Sequence, residues 1–502
     1  MTDTRELALE TFNEHALAGL AVGVVRDGEL AETVSLGLAD VAARKPVDAD
    51  TVFRIGSISK TMTALAVMQL VEEGRIGLDD PVNERLRGYA VRHRDPSTPA
   101  VTVRHLLTHT SGLGELRRWS DLLRPTIGLG VKEGQPQPGL AEYYAPVLRA
   151  ELPPGVKWAY ANHGFATLGQ LVADVSGRPF ADHMRERLFE PLGMSGTDFL
   201  RTEGVRGGLA VGYQMKGKGL KPVKDREIAV APAGSVFSTV REMALYVAAL
   251  TGGGANEHGR AVSAETLVLM LTPQYEPDPR LASVGLSFML ERFGRHRVAG
   301  HDGGWPGFVS SMLIAPDVGL GVLAFTNTVT LIATHQLAGR LLLRLLGEDE
   351  RDHSLPRPGI AESPWLWSEL TGVYRPGSGL NTNARLVGLG LGEAEVLVKD
   401  GGLTLRALST LPLLRRGARL YPVDAEDPLL FSAGGSGFSV GLLFVRGAGG
   451  AVERLEVASP VGYATLYRRR RPSLRTFGGA GAGALAAALA LRRRRRRASF
   501  RP

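Results

Sequence analysis

The chain has 502 residues, 44% of them hydrophobic, enough for a large core and more than one domain. It contains no cysteine, which excludes disulfides, thiolate catalysis and cysteine-based metal sites. The net charge of +8 is local: residues 468–502 hold twelve Arg and no Asp or Glu, and taking those twelve charges from +8 leaves −4 on the rest, which argues against a general nucleic-acid surface. The first residues lack a basic start followed by an apolar run, so no signal peptide is expected.

In chain order, residues 5–16 read as an amphipathic helix. Gly19–Val25 and Leu30–Leu38 read as two strands joined by Asp27-Gly28, a strong hairpin signal. Thr51–Gly74 follows as a short β-run, a glycine turn and a helix apolar nearly all round, hence buried, with Gly74 where a C-terminal cap belongs. Val101–Gly112 reads as a short helix, and 114–156 as an irregular stretch suited to a lid or cleft wall. Trp158–Val172 is a turn entering an apolar helix, residues 180–193 are helical, and the small-residue turn Ala233–Thr239 precedes a helix over Val240–Leu250. Arg297–Gly303 reads as a strand, Phe308–Ala315 and Leu320–Thr326 as a hairpin around Pro316-Asp317, and Leu337–Leu346 as a closing helix. The fold class expected is α+β: an antiparallel sheet joined by both ends of the unit 1–346, beside a helical region.

Residues 347–363 are charged and Pro-containing, as in a linker. Over 364–467 the texture changes to short runs with turns, at 384–389, 395–399, 403–408, 419–423, 441–445 and 455–457, which implies a small antiparallel β-barrel or sandwich. The tail 468–502 encloses an apolar run, 476–491, of ~24 Å as a helix. That is short of the ~30 Å hydrocarbon core. A C-terminal membrane anchor, an electrostatic tether to anionic lipid and a disordered tail all fit this pattern, so the expected location is the cytoplasm or a membrane reached through the tail.

Three short stretches carry chemistry. Ser57 and Lys60 lie one turn apart at the start of the buried helix, so both side chains share a face. A serine hydroxyl needs a base, and a buried lysine next to a helix N-terminus can serve. The plain alternative is a capping serine with a snorkelling lysine. Tyr160 and Asn162, at i and i+2 of a turn, can point into one cleft: Tyr160 to shuttle the Ser57 proton, Asn162 to hold Lys60 and a substrate carbonyl. His301 stands on a strand before Gly303 and Gly304, which let a substrate backbone approach; the N–H of Gly304 can pair with that of Ser57 as an oxyanion hole.

Taken together, FRIGSISK, HLLTHTSGL, YAN and GHDGG make residues 8–346 resemble the serine β-lactamase and penicillin-binding-protein superfamily in its class C-like branch, with its D-aminopeptidase, D-alanyl-D-alanine carboxypeptidase and esterase relatives. The resemblance implies a β-lactamase-like fold with Ser57 as the acylated nucleophile, Lys60 and Tyr160 as its base pair, and Asn162, His301 and Gly303 as substrate ligands. It implies a small-molecule or peptide substrate and no metal or organic cofactor. Region 364–467 resembles the lipocalin-like barrel of some D-aminopeptidase relatives.

One departure bears on substrate. His301 stands where many β-lactamases and penicillin-binding proteins carry Lys, and an imidazole can be neutral where an ammonium is not. Esters, amides and D-aminoacyl peptides are therefore expected ahead of β-lactams, with a non-catalytic binder of cell-wall peptide as the reading from another class. Two further motifs are discounted. Gly437–Gly441 matches G-x-S-x-G, but a strand follows it where a helix is needed. His105 and His109, i and i+4 on the expected helix, lack the Glu of H-E-x-x-H and read as structural.

Overall fold

The computed structural model describes residues 2–469 apart from 132–134, 136, 218, 331, 351–353, 378–392, 408–416, 436 and 461. The expected strand at 384–389 and the expected tail segment 476–491 lie outside the described residues. Among the described residues no helix is long and apolar enough to cross a membrane.

The first of two main sheets has eight strands in the order Ser283–Val284, Met289–Phe293, His296–Trp305, Phe308–Ala315, Leu320–Thr326, Gly19–Arg26, Glu29–Asp40, Lys45–Pro46. Every pairing is antiparallel. The hairpin expected at Asp27-Gly28 forms, both residues taking positive φ (51° and 84°) as a tight two-residue turn requires. The first strand pairs with the last long one, Leu20 opposite Thr326, so the two ends of the unit meet mid-sheet as expected.

Each face of this sheet has its own core. Behind it, the helices Thr2–Glu14 and Ala333–Leu346 bury Leu7, Leu337, Leu341 and Leu342 against Leu20, Val22, Leu313 and Val322. In front lies the helical region, centred on Ser59–Glu72 and Asn162–Ser176. The first of these is buried without interruption from Ser59 to Leu70, which explains why its sequence has no polar face. Each fully buried Leu, Val or Met there contributes about 1.5–3 kcal/mol relative to exposure.

Two expectations need correcting. The helix after residue 101 is only Val103–Leu107; His109 lies beyond it at φ +59°, so His105 and His109 do not share a helix face. The chain turns out there because His109 is claimed by another segment: its carbonyl accepts Ala159 N–H at 2.8 Å and its Nδ1 accepts Ala161 N–H at 3.1 Å. The stretch 114–156 is not wholly irregular. It holds the helix Leu140–Tyr144 and the strand Val147–Ala150, which runs parallel to Ala90–His93.

The second sheet has nine strands between Gly372 and Arg468 and curls into a nearly closed antiparallel barrel. Its end strands, Ala418–Arg419 and Tyr421–Pro422, are neighbours in the chain, and Tyr374, Leu403, Phe431, Phe444 and Leu455 fill the interior. Gly437–Gly441 runs into the strand Phe438–Arg446, not a helix. The barrel meets the larger unit through Leu430, Leu443, Ala458 and Tyr463, packed on Trp158, Leu281, Val284 and Met289.

Candidate active site

The front face of the sheet and the start of the buried helix build one cleft. Phe53–Arg54 pairs with Phe237–Ser238, and Ile55 N–H continues onto Val236 O at 3.1 Å. Gly56 then takes φ +52°, turning the chain through a 3₁₀ turn, Gly56–Ile58, into Ser59–Glu72. Ser59 locks that turn: its hydroxyl donates to Gly56 O at 2.6 Å and accepts Val236 N–H at 3.1 Å. Ser57, beside it, is left facing the cleft side of the helix start.

Lys60 is the hub. It is fully buried, and its ammonium donates to Ser57 Oγ at 2.9 Å and to Ala233 O at 2.6 Å. The same nitrogen stands 4.8 Å above the Tyr160 ring and 5.7 Å from Phe165. Ser57, Lys60 and Tyr160 are thus brought together from two distant segments, which removes the bland alternative of a lysine reaching for solvent. Asn162 is the first residue of the helix Asn162–Ser176 and is 8% exposed. The hydrogen bonds described for Lys60 run to Ser57 and Ala233.

The strand His296–Trp305 forms the opposite wall. A side chain on Gly303 would begin 1.9 Å from Ile55 O and 2.3 Å from Ser310 Oγ, and one on Gly56 would begin 2.5 Å from Gly304 N. Only glycines let this strand lie flat on the turn that carries Ser57, which brings the Gly304 amide beside that turn. Ser310 completes the seam by donating to Ile55 O at 2.8 Å. His301 is 7% exposed, with its ring 6.3 Å from that of Tyr160. Its Nδ1 is 2.6 Å from Asp302 O; a carbonyl only accepts, so Nδ1 carries the proton, and in the neutral ring Nε2 is an acceptor.

Two features escaped the sequence reading. His109 stacks on Tyr160 at 4.5 Å and holds Ala161, so it fixes the loop that presents Tyr160. Its positive φ and the loop carbonyl it offers have no sequence signature beyond a His before Thr-Ser-Gly. Behind the sheet, His335 Nδ1 lies 3.1 Å from Asp302 Oδ1 and 3.0 Å from Oδ2. Burial alone would push the imidazole down, but the Asp302 and Glu291 carboxylates raise it to about 9. Asp302 is held below the usual carboxylate range: burial opposes this, while His335, Ser311 and His301 outweigh it. No local pattern links positions 302 and 335.

A family profile described as Beta-lactamase matches residues 5–346. The chain is 34% identical to Esterase EstB of Burkholderia gladioli over 205 residues, 39% of this chain and 51% of that one, so the match spans about half of the esterase. It is 25% identical to a D-aminopeptidase of Cereibacter sphaeroides over 484 residues, 90% of this chain and 88% of that one. In fold it is similar to the octameric penicillin-binding protein homologue of Pyrococcus abyssi, with a TM-score of 0.62 and 23% identity over 93% of this chain and 99% of the other.

Proposed function

The chain belongs to the beta-lactamase family, and from that membership we propose that it is a serine hydrolase working through an acyl-enzyme on an ester or amide bond, of the esterase or D-amino-acid peptidase type. The observation that carries the reading is the buried Lys60 ammonium, in contact with both Ser57 Oγ and the Tyr160 ring. In this reading Ser57 Oγ attacks the substrate carbonyl, and its proton passes to the Lys60/Tyr160 pair, which reacts with one proton fewer than ammonium plus phenol. The N–H groups of Ser57 and Gly304 hold the oxyanion, and the proton returns to the leaving group. Water then repeats the sequence to release the acid. The tight seam of Gly56, Gly303 and Gly304 supports the oxyanion assignment.

Substrate choice falls to His301 and Asn162. With its Nδ1 donating to Asp302 O, His301 presents an imidazole where a lysine would place a permanent charge, a weaker match for a substrate carboxylate. That favours esters and D-aminoacyl amides over β-lactams, whose carboxylate a lysine would bind. The similarity to an esterase and, along most of its length, to a D-aminopeptidase supports the same order. Labelling with a fluorophosphonate, with Ser57→Ala as control, tests the nucleophile; equal labelling of both proteins ends the assignment. Turnover of a p-nitrophenyl ester, a D-aminoacyl p-nitroanilide and nitrocefin then ranks the substrates, and binding without turnover of any marks a non-catalytic protein.

A further inference from the structure

We propose that Asp302 and His335, backed by the barrel, are a positioning pair that sets the orientation of His301 toward substrate. The proposal rests on the hydrolase reading and deepens it.

The geometry begins with alternation along the strand. His301 and Gly303 face the cleft, so Asp302 faces the rear of the sheet. There its Oδ1 accepts Ser311 Oγ–H at 2.6 Å from the register neighbour on the next strand, and His335 closes on both carboxylate oxygens at 3.0–3.1 Å. The backbone carbonyl of the same Asp302 holds His301 Nδ1 at 2.6 Å. One residue is therefore gripped at the rear by its side chain and grips the cleft histidine with its peptide. Any rotation of the Asp302 peptide turns the His301 ring.

The rear grip is covered by the barrel. His335 is 4% exposed, and its ring meets the edge of Phe438 at 5.7 Å. One turn on, a side chain at Gly339 would begin 2.3 Å from Gly437 O, so the helix and the barrel turn are in direct contact. His335 is withdrawn from water while the Asp302 side chain keeps 20% exposure, so the pair is only partly screened. The titratable groups that face the pair are Glu291 on the adjoining strand and His301 on its own, and Tyr463 of the barrel faces Glu291. Burial holds Glu291 toward its neutral form, so the carboxylate opposite His335 is chiefly that of Asp302. This gives the barrel a role in catalysis without its touching substrate.

The test uses the full chain carrying His335→Gln, His335→Ala, Asp302→Asn or Phe438→Ala, read by steady-state kinetics on the p-nitrophenyl ester, fluorophosphonate labelling and thermal melting. His335→Ala and Asp302→Asn are expected to raise KM roughly 10- to 100-fold. Their kcat should change far less, and labelling of Ser57 should remain stoichiometric. Phe438→Ala should shift KM in the same direction by less. His335→Gln keeps a donor for Asp302, so it should restore most of the KM. Folded His335→Ala and Asp302→Asn proteins with wild-type KM overturn the proposal. Should His335→Ala fail to fold, the KM of Asp302→Asn decides, and a wild-type value overturns the proposal. Failure of the hydrolase reading looks different: wild type itself is not labelled at Ser57, and the positioning role falls with it.

Discussion

His109 and Tyr160 are stacked 4.5 Å apart, and the His109 ring also holds the Ala161 amide. The proposed proton carrier is thus fixed by a residue more than fifty positions earlier that never faces Ser57 in the described contacts. Replacing His109 by Ala removes the stack and leaves a buried N–H unpaired, at a cost of about 1–3 kcal/mol. We expect kcat/KM on the ester to fall by at least tenfold and the melting temperature to drop. His109→Asn, which can still accept from Ala161, should recover stability but not rate.

Ser57→Ala and Lys60→Met should both lower kcat by more than roughly 10³-fold, and the double variant should be no worse than the poorer single, because the pair acts as a unit. Single-turnover release of p-nitrophenol measures this. Additive losses would separate the two residues and count against a shared role.

The two glycines of the strand should behave in opposite ways. A methyl on Gly303 would stand 1.9 Å from Ile55 O, whereas one on Gly304 meets nothing within 4 Å. Gly303→Ala is therefore expected to cost about 1–3 kcal/mol through overpacking. Gly304→Ala should melt with wild type and show its effect on substrate entry alone. Denaturant midpoints for the two variants check the contrast.

Stability should depend on pH through His335. Its folded value near 9 lies above the ordinary 6.5, so its contribution is fully present below about pH 6.5 and is lost as pH rises through 9. The gap corresponds to roughly 3 kcal/mol as an upper figure. Urea midpoints of wild type should fall between pH 7 and 10, and those of His335→Gln should stay flatter over the same interval. A parallel decline in both would place the titrating group elsewhere.

At the barrel, a methyl on Gly462 would enter the Trp158 ring at 2.2 Å. Gly462→Ala is expected to push the barrel off Trp158, whose indole lies 6.1 Å from the Tyr160 ring, and so to lower kcat/KM while Ser57 still labels. Tryptophan fluorescence reports the displacement.

Much of this site was legible because its parts are local. Ser57 and Lys60 share a turn, the helix behind them has no polar face, and His301 sits among glycines whose freedom the seam requires. What could not be read depends on contacts between distant segments. His109 left its expected helix because the 159–161 loop claims its carbonyl and ring, the strands Gly372–Pro376 and Leu430–Gly435 are broken by Pro, Ser or Gly, and Gly462–Arg468 buries Tyr463 and Leu466 three apart, so none shows a period of two. The pairing of Asp302 with His335 leaves no trace in the sequence, since either residue alone looks like a polar interruption in an apolar run.

The strand Gly19–Arg26 draws its second neighbour from Leu320–Thr326, some three hundred residues later. During synthesis that strand must wait with one edge bare until the partner emerges, and the cleft strand His296–Trp305 has no lasting place in the sheet before then. The buried helix with Ser57 and Lys60 is made early but becomes a working wall late. A ribosome paused before residue 326 should therefore hold a chain that is largely helical, sticky along one β-edge and unable to take up the phosphonate.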